Sequence, residues 1–456
     1  MNLTRFRLTH GIAILLAAFS WAFSGAALAL PPGSFVEVAA GLGLHACGRL
    51  ETGGVQCWGA NGSGQLGNNS LVNSAIPVNV VGITTAVQIT AGDDHSCARL
   101  ADNTLRCWGG NANGQLGNNS TTSSSVPVPV NLIAGATQVS AGDAYTCARL
   151  IAGGGSVRCW GLNTSGQLGD GSNTQRLEAV ATVGGTGTTG ATSLSAGASH
   201  TCARISDGTL RCWGLGTSGQ LGDGLQTTSN VPVTVSTISS ATSVSAGFAH
   251  TCARLADGTL RCWGSNNIGR LGDGTGTTRL VPTTVVGIAA GTATGVDAGS
   301  NQTCAIMTDN TLRCWGAGDR GQIGNGAFVA SATPLAVLGI NTAIALSSGS
   351  EFSCAVLSSG AVKCWGHSTS GKLGNGDTVN NRATPVAVLP SVCTMDVDGD
   401  GVVLGTTDAV LLARAAMGLG GASVTQNAIG AGALRAEWAD VRGYLTALCG
   451  MTGLAP

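Results

Sequence analysis

The triplet Cys-Trp-Gly recurs seven times along this chain, beginning at Cys57, Cys107, Cys159, Cys212, Cys262, Cys314 and Cys364. Successive copies stand 50, 52, 53, 50, 52 and 50 residues apart. A fixed period of this size means that one supersecondary unit is copied and stacked, so the chain cannot be divided into ordinary domains by length. Each unit holds four short strand-like pieces bounded by Gly, Asp, Ser or Pro. In the fifth they are 241–246, 250–255 and 259–263, with 231–235 or its successor 281–286 as the fourth. Four antiparallel strands per unit, seven times over, predict an all-β, seven-bladed β-propeller across 34–390, closed so that no long strand edge is left open.

The register of each hairpin follows from its cysteines. They stand ten residues apart in six units: Cys47/Cys57, Cys97/Cys107, Cys202/Cys212, Cys252/Cys262, Cys304/Cys314 and Cys354/Cys364. An even separation sets two residues opposite each other only across a loop of odd length. Ala256-Asp257-Gly258 suits a three-residue loop closed by a Gly bulge. In the third unit Cys147 and Cys159 are twelve apart, a two-residue insertion that keeps the pair opposed, where one residue would turn a side chain to the other face. Seven disulfides, one per blade, are expected, with buried free thiols as the alternative. His45, His95, His200 and His250 each stand two residues before a cysteine, but Tyr145, Gln302 and Phe352 replace them elsewhere, and His-x-Cys lacks the ligand number of a zinc site. The histidines read as structural. Seven of the nine tryptophans share one repeat position and read as packing between blades, with carbohydrate stacking as the sharper alternative.

The unit AG-x-x-H-x-C-A-x-L-x-x-x-G-x-L-x-C-W-G-x-N-x-x-G-Q-L-G resembles the repeat of the regulator of chromosome condensation family. The Gly-Gln-Leu-Gly tail is kept at 64–67, 114–117, 166–169 and 219–222, and drifts at Arg270, Ile323 and Lys372. The resemblance implies a seven-bladed propeller and leaves function open. Nuclear members are guanine-nucleotide exchange factors that contact chromatin, and exported bacterial members include a propeller-shaped inhibitor of β-lactamase.

The chain's ends differ from the repeats. Residues 1–29 read as a secretory signal peptide: Arg5 and Arg7, an apolar stretch from Gly11 to Phe23, then Ala27-Leu28-Ala29 as a small-x-small cleavage site. Residues 391–456 open with Asp396-Val397-Asp398-Gly399-Asp400-Gly401, the start of an EF-hand-type loop. Asp396, Asp398 and Asp400 aim carboxylates at one centre, Val402 offers its carbonyl, and Asp408 closes the set one position late, with Thr407 as the alternative closing residue. One calcium ion is expected there, in a small helical module with helices over 407–418 and 433–448. The segment resembles half of a dockerin, and Cys393 is expected to pair with Cys449.

Sixteen cysteines behind a signal peptide place the protein in an oxidising compartment: secreted, at the cell surface or periplasmic, with no membrane span after signal removal. A formal charge of −1 offers no electrostatic reason to bind nucleic acid. With the disulfides and the signal peptide, it argues against nucleotide exchange. No nucleophile–base pair or catalytic motif stands out, so the chain reads as a monomeric, non-enzymatic scaffold. Its candidate binding rim lies between each Ala-Gly and the first cysteine: Leu44, Asp93, Asp94, Asp143, Tyr145, Phe248, Asn301, Glu351 and Phe352. An extracellular protein or a surface polymer is the expected partner. The alternatives are a structural adhesion or matrix protein and a secreted enzyme inhibitor.

Overall fold

The computed structural model describes residues 33–183 and 188–390. Twenty-eight strands form seven sheets of four, and each sheet takes its strands consecutively from the chain. The blades span 35–79, 86–129, 136–181, 191–234, 241–284, 293–336 and 343–387. The first strands of adjacent blades touch one another, so they line the central channel and the fourth strands lie outermost. This is the seven-bladed propeller that the repeat predicts.

The fifth blade shows why these residues form these strands. Its strands are Ala241–Ala246, His250–Leu255, Leu260–Gly264 and Arg279–Thr284. The fourth is the successor of the two candidates named from sequence and begins two residues earlier than expected. Leu255 N–H donates to Thr259 O, leaving Ala256, Asp257 and Gly258 as the loop, and Gly258 takes φ +77°. Asp257 accepts from the amide and hydroxyl of Thr259, which fixes the turn. Cys252 then faces Cys262. In the third blade the longer loop turns through Gly153 and Gly154 at φ +70° and +64°, and Cys147 still faces Cys159. All seven expected bonds form, with Cα–Cα separations of 4.0–4.1 Å, and every bonded cysteine is buried. Cys393 and Cys449 lie outside the described residues.

Packing between blades explains the rest of the motif. All seven repeat tryptophans are fully buried. Each indole N–H donates to the backbone carbonyl of the tail residue in the preceding blade, as Trp263 does to Gln220 at 3.0 Å and Trp315 to Arg270 at 2.9 Å. The last glycine of the tail admits the indole: a Cβ on Gly222 would lie 2.5 Å from Trp263 Nε1. Losing such a ring would cost about 3–5 kcal/mol. Nearer the channel, hydroxyls of one blade accept amides of the next, as Thr90 does from Ala141 and Ser195 from Ala246. In the sixth blade the buried carboxylate of Asp297 takes this place, accepting from Ser348 N–H and Ser245 Oγ–H. Burial raises its pKa above the ordinary carboxylate value.

The ring closes without a shared strand. Trp58 of the first blade donates to Lys372 O of the seventh at 3.0 Å, and Phe35 N–H donates to Gly360 O at 2.8 Å.

Candidate functional site

In each blade the turn between the first and second strands comes out at the same end of the channel. From the second blade onward it is a two-residue turn, closed by a Gly amide on the carbonyl three residues later, as Gly92 on His95 at 2.8 Å and Gly247 on His250 at 2.9 Å. Neighbouring turns are bonded in turn. Asp93 N–H donates to Asp143 O, Asp143 to Ala198 O, Ala198 to Gly247 O, Phe248 to Gly299 O, Ser300 to Gly349 O and Ser350 to Gly41 O, at 3.0–3.4 Å. These six bonds form a backbone belt that holds the turns as one rigid mouth.

Below the belt lies a second set of contacts. His45, His95, His200 and His250 are fully buried, and each Nε2 sits 2.8 Å from a hydroxyl of the next blade: Ser96, Thr146, Thr251 and Thr303. Each hydroxyl donates to the tail carbonyl that also receives the tryptophan, as Thr251 does to Gln220 O at 2.9 Å. A hydroxyl that donates there must accept from the imidazole, so Nε2 carries the proton. Burial depresses the pKa of His45, His95 and His200 to about 4 and holds that of His250 well below its ordinary value. Neutral, latched imidazoles are structural groups, as expected from the substitutions among units.

Tyr145 and Phe352 correct the expected rim. They occupy the histidine position and are fully buried. The side chain there points back between blades rather than out of the turn. Tyr145 Oη donates to His200 O at 2.6 Å. Phe352 faces the first blade, where Ala46 replaces the hydroxyl residue and leaves nothing to bond.

The other rim residues largely converge. A cavity of about 260 Å³ at the mouth is lined by Leu42, Asp93, Asp143, Phe248, Ser300, Asn301, Ser350 and Glu351. Asp93, Asp143, Phe248, Asn301 and Glu351 were legible from sequence as turn residues that packing does not require. Asp94 stands behind them, accepting from Gln115 Nε2 at 3.2 Å, and Leu44 lies exposed beside the mouth. Leu42, Ser300 and Ser350 were missed, since small or aliphatic turn residues carry no compositional signal.

Charge is unevenly placed around the opening. Burial, reinforced by Asp93 and Asp94, raises the Asp143 carboxyl to about 7, and burial beside Asp94 raises Asp93. On the opposite arc two cations replace the tail glutamine. Arg270 donates to Ser300 O at 3.2 Å, and Lys372 Nζ to Ser350 O at 2.8 Å while lying 5.1 Å from the Phe352 ring centroid. Desolvation lowers Arg270 to about 10 and Lys372 to about 8. Their signal in the sequence was the drift of Gly-Gln-Leu-Gly. Glu351 takes φ +60° and sits 3.1 Å from His367 Nδ1. A positive φ at a side-chain-bearing residue marks local strain of the kind that gathers at binding sites.

Among the described residues no three His, Cys, Asp or Glu side chains gather to hold a metal. Asp396, Asp398, Asp400, Val402 and Asp408 lie outside them. No helix among them is long and apolar enough to cross a membrane.

Two sequence profiles, both described as the regulator of chromosome condensation (RCC1) repeat, match the chain. One matches all seven units, at 35–65, 86–115, 136–167, 191–220, 241–269, 293–322 and 343–372, and the other matches 52–99, 102–149, 207–254 and 257–306. No curated protein matches by sequence. Similar solved structures include Prp20p of Saccharomyces cerevisiae, whose report concerns its binding to Gsp1p and histones: 22% identity, TM-score 0.61, covering 70% of this chain and 81% of that one. Yeast RCC1 (Prp20) bound to Kap60 gives 17%, 0.66, and coverage of 87% and 91%. Human WBSCR16 gives 21%, 0.66, and coverage of 74% and 93%. At these identities the likeness is one of fold.

Proposed function

Because the chain belongs to the regulator of chromosome condensation (RCC1) repeat family, we propose that it uses that framework as an exported, non-enzymatic scaffold holding a protein partner at the mouth. The reading rests on one observation. Carboxylates and an exposed aromatic, Asp93, Asp143, Glu351 and Phe248, converge on a single cavity although neither strand pairing nor blade packing needs them. An apolar centre with polar surroundings on a rigid frame suits protein recognition. The binding of Prp20p to Gsp1p, histones and Kap60 supports protein as the partner class for this fold.

Seven closed disulfides fit an oxidising compartment, and export through the 1–29 segment would supply it. Reducing conditions, in which the nuclear exchange factors work, would open the bonds. The acidic loop at 396–408 adds a calcium-stabilised tail in this reading. Chelation should then lower a thermal transition assigned to residues 391–456; an unmoved transition removes the calcium ion.

The partner is tested with the immobilised protein and the extracellular fraction of the source cells. One dominant protein is expected, released when Asp93→Asn, Asp143→Asn and Phe248→Ala are combined. Capture that survives the triple change places binding elsewhere. Retention of the protein on cell-wall polysaccharide with no captured protein favours the adhesion role.

A further inference from the structure

Two carboxylates at the mouth have no side-chain partner at all among the described residues. Glu351 has His367 beside it and Asp94 has Gln115, but Asp93 and Asp143 make no side-chain hydrogen bond or ion pair among the described residues. They stand on adjacent blades, and the belt bond from Asp93 N–H to Asp143 O holds their backbones together. Two like charges at a partly desolvated site repel, and each loses hydration without gaining a partner. A fold that keeps such a pair at a rigid opening leaves room for a positive group to neutralise both.

The opposite wall shows what else the occupant must satisfy. Ser300 is only 6% exposed and lines the cavity, yet its hydroxyl has no hydrogen-bond partner among the described residues. The residue is nine-tenths buried, and its hydroxyl, without a protein partner, is open to the cavity, where an occupant can reach it. Arg270 and Lys372 behind this wall are turned to the carbonyls of Ser300 and Ser350, so they do not answer the two aspartates. Between the walls stand Leu42 and half-exposed Phe248, an aliphatic and an aromatic surface. A cation with an apolar stem matches all of this: charge toward Asp93 and Asp143, stem along Leu42, positive edge over the Phe248 ring. The volume of about 260 Å³ is below the usual range for drug-sized ligands and suits one side chain with some water.

We infer that the mouth is a receptor for a single lysine or arginine side chain presented by the protein partner, with Asp93 and Asp143 taking the charge, Ser300 a second hydrogen bond, and Leu42 and Phe248 the stem. This rests on the mouth being the binding face.

The probes are Nα-acetyl-lysine methylamide, Nα-acetyl-arginine methylamide and the uncharged Nα-acetyl-norleucine methylamide, titrated into the full-length protein by heteronuclear NMR at pH 8 and low salt. Saturable shifts of the amides of Asp93, Asp143, Phe248 and Ser300 are expected for the charged probes and none for norleucine. Asp143→Asn should weaken the charged probes at least about tenfold, as loss of one partner of a desolvated charge pair does. Phe248→Ala, an exposed substitution that leaves packing alone, should weaken them less. Lowering the pH from 8 to 6 should weaken binding as Asp143 takes up its proton. Equal shifts with norleucine, no shifts at all, or indifference to Asp143→Asn each overturn the inference. Spermidine binding at the same amides more than about tenfold tighter than lysine would assign the cavity to a free polyamine instead. Capture of a partner that survives Asp143→Asn and Phe248→Ala, with the probes still binding, would separate failure of the mouth as the protein-binding face from failure of the cation site.

Discussion

His200 and Thr251 show how one residue pair couples two blades. The imidazole donates to the hydroxyl and the hydroxyl to Gln220 O, so removing the hydroxyl strands a buried N–H. Thr251→Ala should cost about 1–3 kcal/mol, the price of an unsatisfied buried donor. Pairing it with His200→Phe copies the Phe352/Ala46 pair that the seventh and first blades already use, so the double variant should recover much of the loss. Urea melts of the two single variants and the double variant check this, and additive losses would mean that the latch is not a pair. The histidines also set a pH dependence. Their folded pKa values lie near 4 against 6.5 unfolded, so the unfolded chain binds more protons. Their stability contribution is complete above about 6.5 and falls between about 6.5 and 4, by up to ~1.4 kcal/mol per group per pH unit. Asp143 has the opposite sign. Its folded value of about 7 exceeds the unfolded 3.8, so it adds stability as the pH falls from 7 toward 4. The four lowered histidines outnumber the raised aspartates Asp93, Asp143 and Asp297, and urea midpoints should drop on acidification. Asp143→Asn should steepen that drop, and should raise stability at pH 8 by removing an unpaired charge.

At the scale of the element, the hairpin joining second and third strands is the repeated structural unit. Its disulfide links two residues that the strand register already sets opposite each other. Closing a loop of about ten residues should stabilise each blade by about 3 kcal/mol on the chain-entropy model. Cys252→Ala with Cys262→Ala should therefore lower stability by that amount without changing the fold. The equivalent pair Cys147/Cys159, with its longer loop, should cost slightly more. Non-reducing peptide mapping should find each bond within its own blade; a bond between blades would contradict the register. The tryptophan and the tail glycine act together across the interface, so Gly222→Ala should destabilise through the Trp263 indole although the glycine itself lies in a loop.

Over the whole molecule a formal charge of −1 hides a strong polarity. The penultimate residues of five second strands are Arg49, Arg99, Arg149, Arg204 and Arg254, and the second residues of six third strands are Arg106, Arg158, Arg211, Arg261, Arg313 and Lys363. Both positions flank the hairpins at the end of the propeller opposite the mouth. Glu51, Asp102, Asp207, Asp257 and Asp309 in the same hairpin turns offset part of this positive charge, and the mouth end carries Asp93, Asp94, Asp143 and Glu351 with Arg270 and Lys372 behind them. A molecule polarised in this way presents opposite fields at its two ends, felt over about 10 Å at moderate salt. At pH 7 and low ionic strength it should be retained by both cation and anion exchangers. Changing Arg106, Arg158 and Arg211 to Gln should abolish only the first. Passage of the native protein through the cation exchanger would show the arginines to be neutralised locally.

The period of the repeat, the pairing of the fourteen blade cysteines and the packing place of the tryptophan were determined by the sequence alone. Each depends on contacts within one hairpin or between identical neighbours, and alternation of side chains along a strand is strict enough that a two-residue insertion is readable. The mouth was legible only in part. Asp93, Asp143, Phe248, Asn301 and Glu351 could be named as unneeded for packing, but Tyr145 and Phe352 look no different in sequence. Only the folded ring shows that their position turns inward against the next blade. The same holds for Leu42, Ser300 and Ser350, whose turns lie far apart along the chain and meet because seven blades close around one axis. Closure itself was undetermined, since seven complete units allow a shared strand or none. It was settled by the first blade receiving the seventh through the same tryptophan and tail carbonyl that join every other pair. Local periodicity writes the blade, and the cavity exists only where the blades meet.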